Sequence, residues 1–151
     1  RLIEKNIISS KKVGKSILCG LNNNYNTQIC EVENKRKDEL LKNKNLNQLY
    51  LEVMNKINSN FFIFLVFGSY ANKRQTNKSD IDLIFISNEK NFEKRIGNIL
   101  ELLPIKTHFF VFSEEEFIRM KDSKELNVVK EVINNNIILH GTENYYKLKN
   151  A

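Results

Sequence analysis

The chain contains no tryptophan, a single proline (Pro104) and only two cysteines, Cys19 and Cys30. The cysteines have neither metal-ligand spacing nor a histidine nearby, which argues against a zinc site or a disulfide framework and leaves them as expected free, buried thiols. No apolar run approaches the ~20 residues of a membrane-spanning helix, and no secretory leader is visible, so the expected setting is cytoplasmic, away from membrane. Internal repeats and long flexible linkers are also missing. The first residue is Arg1, not Met, which suggests a piece of a longer protein.

The 151 residues suffice for one domain with an appendage, and 41% hydrophobic content provides a core. Asparagine and lysine are abundant, a bias of codons and not of function. The formal charge of +6 suits a nucleotide or nucleic-acid partner. The lysines are nevertheless spread along the chain, as on an ordinary solvated surface.

The densest chemical signal lies between residues 61 and 86. The apolar run Phe61–Phe67 reads as a central strand broken by Gly68-Ser69, with a short helix expected around Ser69–Asn72. After Ser69 and ten intervening residues comes Asp80-Ile81-Asp82, opening a second apolar strand, Asp80–Ser87. Residues i and i+2 of a strand face the same way, so Asp80 and Asp82 are expected side by side. Adjacent carboxylates repel unless a cation lies between them. This pattern points to a divalent-metal site beside a phosphate-binding turn, with Mg²⁺ the hard cation that suits carboxylate and phosphate oxygens.

Other elements follow from periodicity. Leu46, Leu49, Tyr50, Val53, Met54 and Ile57 form a helical stripe ending near 58–60. Phe92, Ile96, Ile99, Leu100 and Leu103 form another, stopped by Pro104. Lys106–Phe112 reads as a third strand, and Ser113-Glu114-Glu115-Glu116 as a capping box opening a helix with Phe117 and Met120 inward. A further helix is expected over Leu126–Ile133, then a short apolar run, Ile137–Leu139, closed by His140-Gly141. Upstream, Ile7–Ser16 reads as a basic helix, Ser16–Leu21 as a short strand followed by a turn at 22–24, and Glu31–Lys44 as an exposed charged helix. The expected fold is α+β, a small mixed β-sheet with packed helices. The expected division is an N-terminal extension, residues 1–44, and a main domain, 45–151.

The Gly68-Ser69, ten residues, Asp80-x-Asp82 pattern resembles the DNA polymerase β-type nucleotidyltransferase superfamily, in particular its minimal branch, which includes the antitoxin partners of HEPN toxins. The order of elements from about Leu46 to Tyr146 is similar to that fold, as is the ending around Ile138–Glu143. The resemblance implies transfer of a nucleoside monophosphate, AMP from ATP, to a hydroxyl acceptor, with Asp80 and Asp82 holding Mg²⁺. Gly68 would admit the triphosphate closely and Ser69 would donate to its β- or γ-phosphate. Lys73, Arg74 and Lys78 would supply counter-charge or stay solvated. Active members usually carry a third Asp on the next strand. Counting back from the capping box, His108 stands there instead, as a base, a weak ligand or an ordinary strand-start histidine. His140 reads as structural.

The acceptor implied is a HEPN-type partner protein, with a small molecule or an RNA end as other options. The alternative is a DNA-binding or regulatory protein with a degenerate nucleotidyltransferase-like domain. The missing third acid supports it, as does the basic N-terminal segment, which looks like the tail of a winged helix and would touch nucleic acid. A non-catalytic subunit paired with an active partner is a third option.

Overall fold

A computed structural model describes residues 2–5, 7–22 and 24–151. The centre is a four-stranded mixed sheet. In chain order the elements are β1 Ile8–Val13, β2 Ser16–Leu21, α1 Thr27–Leu40, α2 Lys44–Lys56, β3 Ile63–Phe67, α3 Gly68–Ala71 and β4 Ile81–Ile86. Then follow α4 Phe92–Leu100, β5 Thr107–Phe112, α5 Glu114–Asp122, α6 Val128–Asn134, β6 Ile137–His140 and α7 Thr142–Asn150. β3 runs antiparallel to both β4 and β6, while β5 lies parallel to β4.

The two inner strands are apolar on both faces because both are covered by helices. Phe64, Val66, Leu83 and Phe85 alternate with Ile63, Leu65, Ile84 and Ile86, and the sets feed two different cores. The first set packs with Leu46, Leu49 and Val53 of α2 and with Phe92, Ile96 and Ile99 of α4. The second packs with Phe117 of α5, Val129 and Val132 of α6, and Tyr145 and Leu148 of α7. Phe64 and Phe85 stack at 4.5 Å across the β3–β4 pair. The α2 stripe is as periodicity predicts, with Tyr50 and Met54 partly buried at its edge. The capping box forms as well: the Ser113 hydroxyl accepts from the Glu116 amide, and the Glu116 carboxylate accepts from the Ser113 amide at 2.8 Å.

Several expectations need correction. Residues 8–13 form a strand and not a basic helix; they pair with β2 as a two-stranded ribbon turned at Gly14-Lys15. The turn expected at 22–24 includes Asn23, which is outside the described residues. Ile137–His140 is a full sheet strand, and the terminal helix α7 was not legible as a separate element. Leu126 lies ahead of α6 and is 97% exposed, because Asn127 caps that helix. The cysteines are free, but Cys19 is exposed and Cys30 half-buried.

Helix α1 is anchored through a buried acid. Glu33 accepts from Arg36 at 2.9 Å and from the Tyr146 hydroxyl at 2.8 Å, and Arg36 also donates to the Asn136 carbonyl. The Asn136 amide donates to Val132 O and to the Tyr145 hydroxyl, both at 2.7 Å. A carboxylate taken out of water persists only when it is paired in this way. Burial raises the pKa of both tyrosine hydroxyls, so they stay protonated. The network ties α1 to β6 and α7.

His140 is structural: half-buried on β6, its ring stacks on Phe62 at 4.5 Å. Burial, then the nearby Lys37 charge, lowers its pKa below the ordinary value of 6.5. Because the folded-state pKa lies below that of the unfolded chain, the unfolded chain takes up the proton first as pH falls. Stability is therefore full above the unfolded pKa and declines below it. Thermal melts from about pH 7.5 to 5.5 should show a falling midpoint, with a smaller fall in His140→Gln. An equal fall in both would assign the effect elsewhere.

Candidate functional site

At the end of β3 the chain turns from Phe67 into Gly68, whose φ is +66°. This left-handed conformation favours glycine. Space makes the same demand. A Cβ built on Gly68 would overlap Asp82 Oδ2 and lie 3.2 Å from Asp82 Cγ. The Asp82 carboxylate thus rests directly against the backbone of the Gly68-Ser69 turn. The β3–β4 register explains why, since Phe67 and Asp82 are cross-strand partners.

Asp82 is the one partly exposed residue of β4, and its side chain is 28% accessible at the open end of the strand. Asp80 is exposed and immediately precedes β4, so the strand begins one residue later than the alternation argument requires. The intervening turn is closed by Thr76 and Ser79, with the Thr76 amide donating to Ser79 Oγ at 2.9 Å and the Ser79 amide to Thr76 O at 3.0 Å. Lys78 lies exposed in that turn.

His108 is the parallel-register partner of Asp82 on β5. Its Nδ1 lies 3.6 Å from Asp82 Oδ1, too long for a hydrogen bond but close enough for charge attraction when the ring is protonated. The imidazole is 62% accessible and packs edge-on to Phe110 at 4.7 Å. β5 carries no acid.

The structure therefore brings Gly68, Asp82 and His108 together, with Ser69 in the first turn of α3 and Asp80 exposed just ahead of β4. Lys73 is placed differently. It follows α3 with φ of +55° and lines a separate cavity against α1.

Among the described residues no group of three or more His, Cys, Asp or Glu side chains could hold a metal ion. A Mg²⁺ site does not require one, because Mg²⁺ is commonly held by one or two carboxylates with waters and substrate phosphates completing its shell. The donor set of Asp80 and Asp82 fits that pattern. The missing Cβ at Gly68 is what lets the Asp82 carboxylate lie against the backbone there. No described helix is long and apolar enough to cross a membrane.

The family model described as "Polymerase beta, Nucleotidyltransferase" matches residues 54–145, more than half of the chain. The match contains β3, the Gly68-Ser69 turn, both aspartates and His108. The protein belongs to the polymerase β-type nucleotidyltransferase family. No curated protein and no solved structure matches the chain.

Proposed function

We propose that this protein is a Mg²⁺-dependent nucleotidyltransferase that moves AMP from ATP to a hydroxyl on a partner protein of HEPN type. In this reading residues 45–151 are the catalytic unit and residues 1–44 an extension. The observation that supports the proposal is the contact of the Asp82 carboxylate with the backbone of Gly68: in this reading the carboxylate is the metal ligand and the turn beside it takes the phosphate.

In the proposed reaction the acceptor hydroxyl attacks the α-phosphorus. The new phosphate–oxygen bond forms as the bond to pyrophosphate breaks. Gly68 admits the triphosphate to van der Waals distance of the backbone, and Ser69 orients it through its hydroxyl and amide. Asp80 and Asp82 hold Mg²⁺, which when bound offsets negative charge gathering on the phosphates. His108, on the Asp82 side of the site, takes the acceptor proton. A side-chain base contributes about 10²–10⁴-fold. Lys78, exposed in the 76–79 turn, supplies diffuse counter-charge.

The test uses ATP labelled at the α- or the γ-phosphate, with Mg²⁺ and a HEPN-type protein as acceptor. Label from the α-phosphate should become fixed on the acceptor and label from the γ-phosphate should not. Transfer of γ-label would make the protein a kinase and overturn the reading.

One observation favours a second reading. Among the described residues the β1–β2 ribbon joins no other strand, is exposed along nearly its whole length, and carries Lys11, Lys12 and Lys15. A basic ribbon of this kind can enter a DNA groove, which suits a nucleic-acid-binding regulator whose catalytic corner is degenerate. Salt-sensitive binding to duplex DNA that is lost in a Lys11→Glu, Lys12→Glu variant would favour it.

A further inference from the structure

A cavity of about 620 Å³ opens between α1, the start of α2 and the far side of α3. None of Gly68, Ser69, Asp80, Asp82 or His108 lines it. Its volume is that of a small-molecule site, roughly 300–1,000 Å³. The floor is apolar, made by Leu40, Tyr70, Ala71 and Ile137. The rim carries Lys35, Arg36, Lys42 and Lys73 against a single acid, Glu39.

Two of those cations are already engaged, Arg36 with Glu33 and Lys42 with Glu39. The side chains of Lys35 and Lys73 make no hydrogen bond or ion pair among the described residues and both residues are exposed; Lys42 first, and then the Lys73 charge, lowers the pKa of Glu39 across the rim. Lys73 reaches the cavity from a left-handed backbone, φ +55°, which a lysine adopts at a cost. The loop holding it is fixed on both sides. The Asn72 side chain donates to Gly68 O at 3.0 Å, and its oxygen accepts from Asn135. Two amide side chains, Asn43 and Gln75, also border the space. The Asn43 oxygen is used as the cap of α2, which leaves its NH₂ to donate outward.

We propose that this cavity is a second ligand site, which binds a nucleoside monophosphate. The apolar floor receives the base and sugar, Asn43 and Gln75 meet the base edge, and Lys35 and Lys73 take the phosphate. Free phosphate would not use the floor, and an apolar ligand would leave two lysines unmatched. Because the site needs no metal, it stands independently of the reading of the Asp82 corner. It adjoins that corner through α3, a single helical turn with Gly68 at one end and Lys73 just past the other.

Calorimetric titration of AMP in EDTA tests the site without metal. AMP should bind the wild type and the Asp80→Asn, Asp82→Asn variant alike. Lys35→Gln with Lys73→Gln should weaken it about tenfold or more, because two charge-assisted contacts are lost. Inorganic phosphate should bind far more weakly than AMP. In ¹⁵N spectra AMP should shift amides of residues 35–43 and 70–75, a readout that requires no variant. Absence of AMP binding, indifference to the lysine substitutions, loss on the aspartate substitutions, or phosphate binding as tight as AMP would each overturn the proposal.

Discussion

Gly68→Ala should abolish most of the nucleotide chemistry while leaving the protein folded. The new methyl group occupies the place of the Asp82 carboxylate. Asp82 Oδ2 is the far end of a flexible side chain at an open strand end, so that side chain rotates away and the sheet need not move. The remaining cost to folding is the left-handed backbone, about 1–2 kcal/mol for an L-residue. The functional cost is larger. On the proposed mechanism Asp82 holds the metal; misplacing a reacting group by about 1 Å can cost roughly 10²-fold in rate, and the added methyl would also crowd the turn proposed to take the phosphate. Nucleotidyl transfer and thermal melts measured side by side should show a loss of about 100-fold or more with a modest shift in midpoint. A variant with normal transfer would contradict the placement of the triphosphate at this turn.

Gly141→Ala should do the reverse. Gly141 also has a positive φ, +81°, and its added Cβ would lie 2.8 Å from the Phe62 carbonyl oxygen, 3.1 Å from Ile63 Cγ1 and 3.2 Å from Ile63 Cα. Two of those three atoms belong to the backbone entering β3, so no rotamer change relieves the clash. Strain of about 1–2 kcal/mol from the dihedral adds to about 1–3 kcal/mol of overpacking. The total of about 2–5 kcal/mol is a large share of a typical folding free energy of about 5–15 kcal/mol. At about 2–4 °C per kcal/mol for a chain of this size, the melting midpoint should drop by roughly 10 °C. An unchanged midpoint would mean that the β6–α7 corner is looser than the structure shows.

The two glycines have similar backbone angles, and sequence alone did not separate their roles. Gly68 was legible because strand, turn and aspartates fall at a fixed spacing. Gly141 was seen only as the close of an apolar run. Its meaning depends on Phe62, which lies far away in sequence and close in space.

The same distinction governs the rest of the chain. β3 and β4 could be read because both their faces are buried, so they appear as unbroken apolar runs. The helices α2 and α4 could be read because each buries one stripe against that sheet. The ribbon could not: Ile17, Leu18 and Leu21 are exposed, and with no buried face there is no alternation to mark strands. Glu33 read as one charge in an exposed helix, and only the fold supplies Tyr146 and Arg36 to explain its burial. Counting back from the capping box placed His108 near the aspartates, and the parallel register sets it opposite Asp82. Lys73 belongs by sequence to the loop between Ser69 and Asp80, and only the fold shows that it also lines the cavity beside α1.

The central claim is that Asp80 and Asp82 form the metal-dependent nucleotide site. Its most direct test is calorimetric titration of ATP, with and without Mg²⁺, into wild type and the Asp80→Asn, Asp82→Asn variant. The account expects a Mg²⁺-dependent binding component in the wild type. The variant should lose that component yet remain folded, because removing adjacent charges relieves repulsion. Mg²⁺-dependent ATP binding of equal strength in both proteins would contradict it.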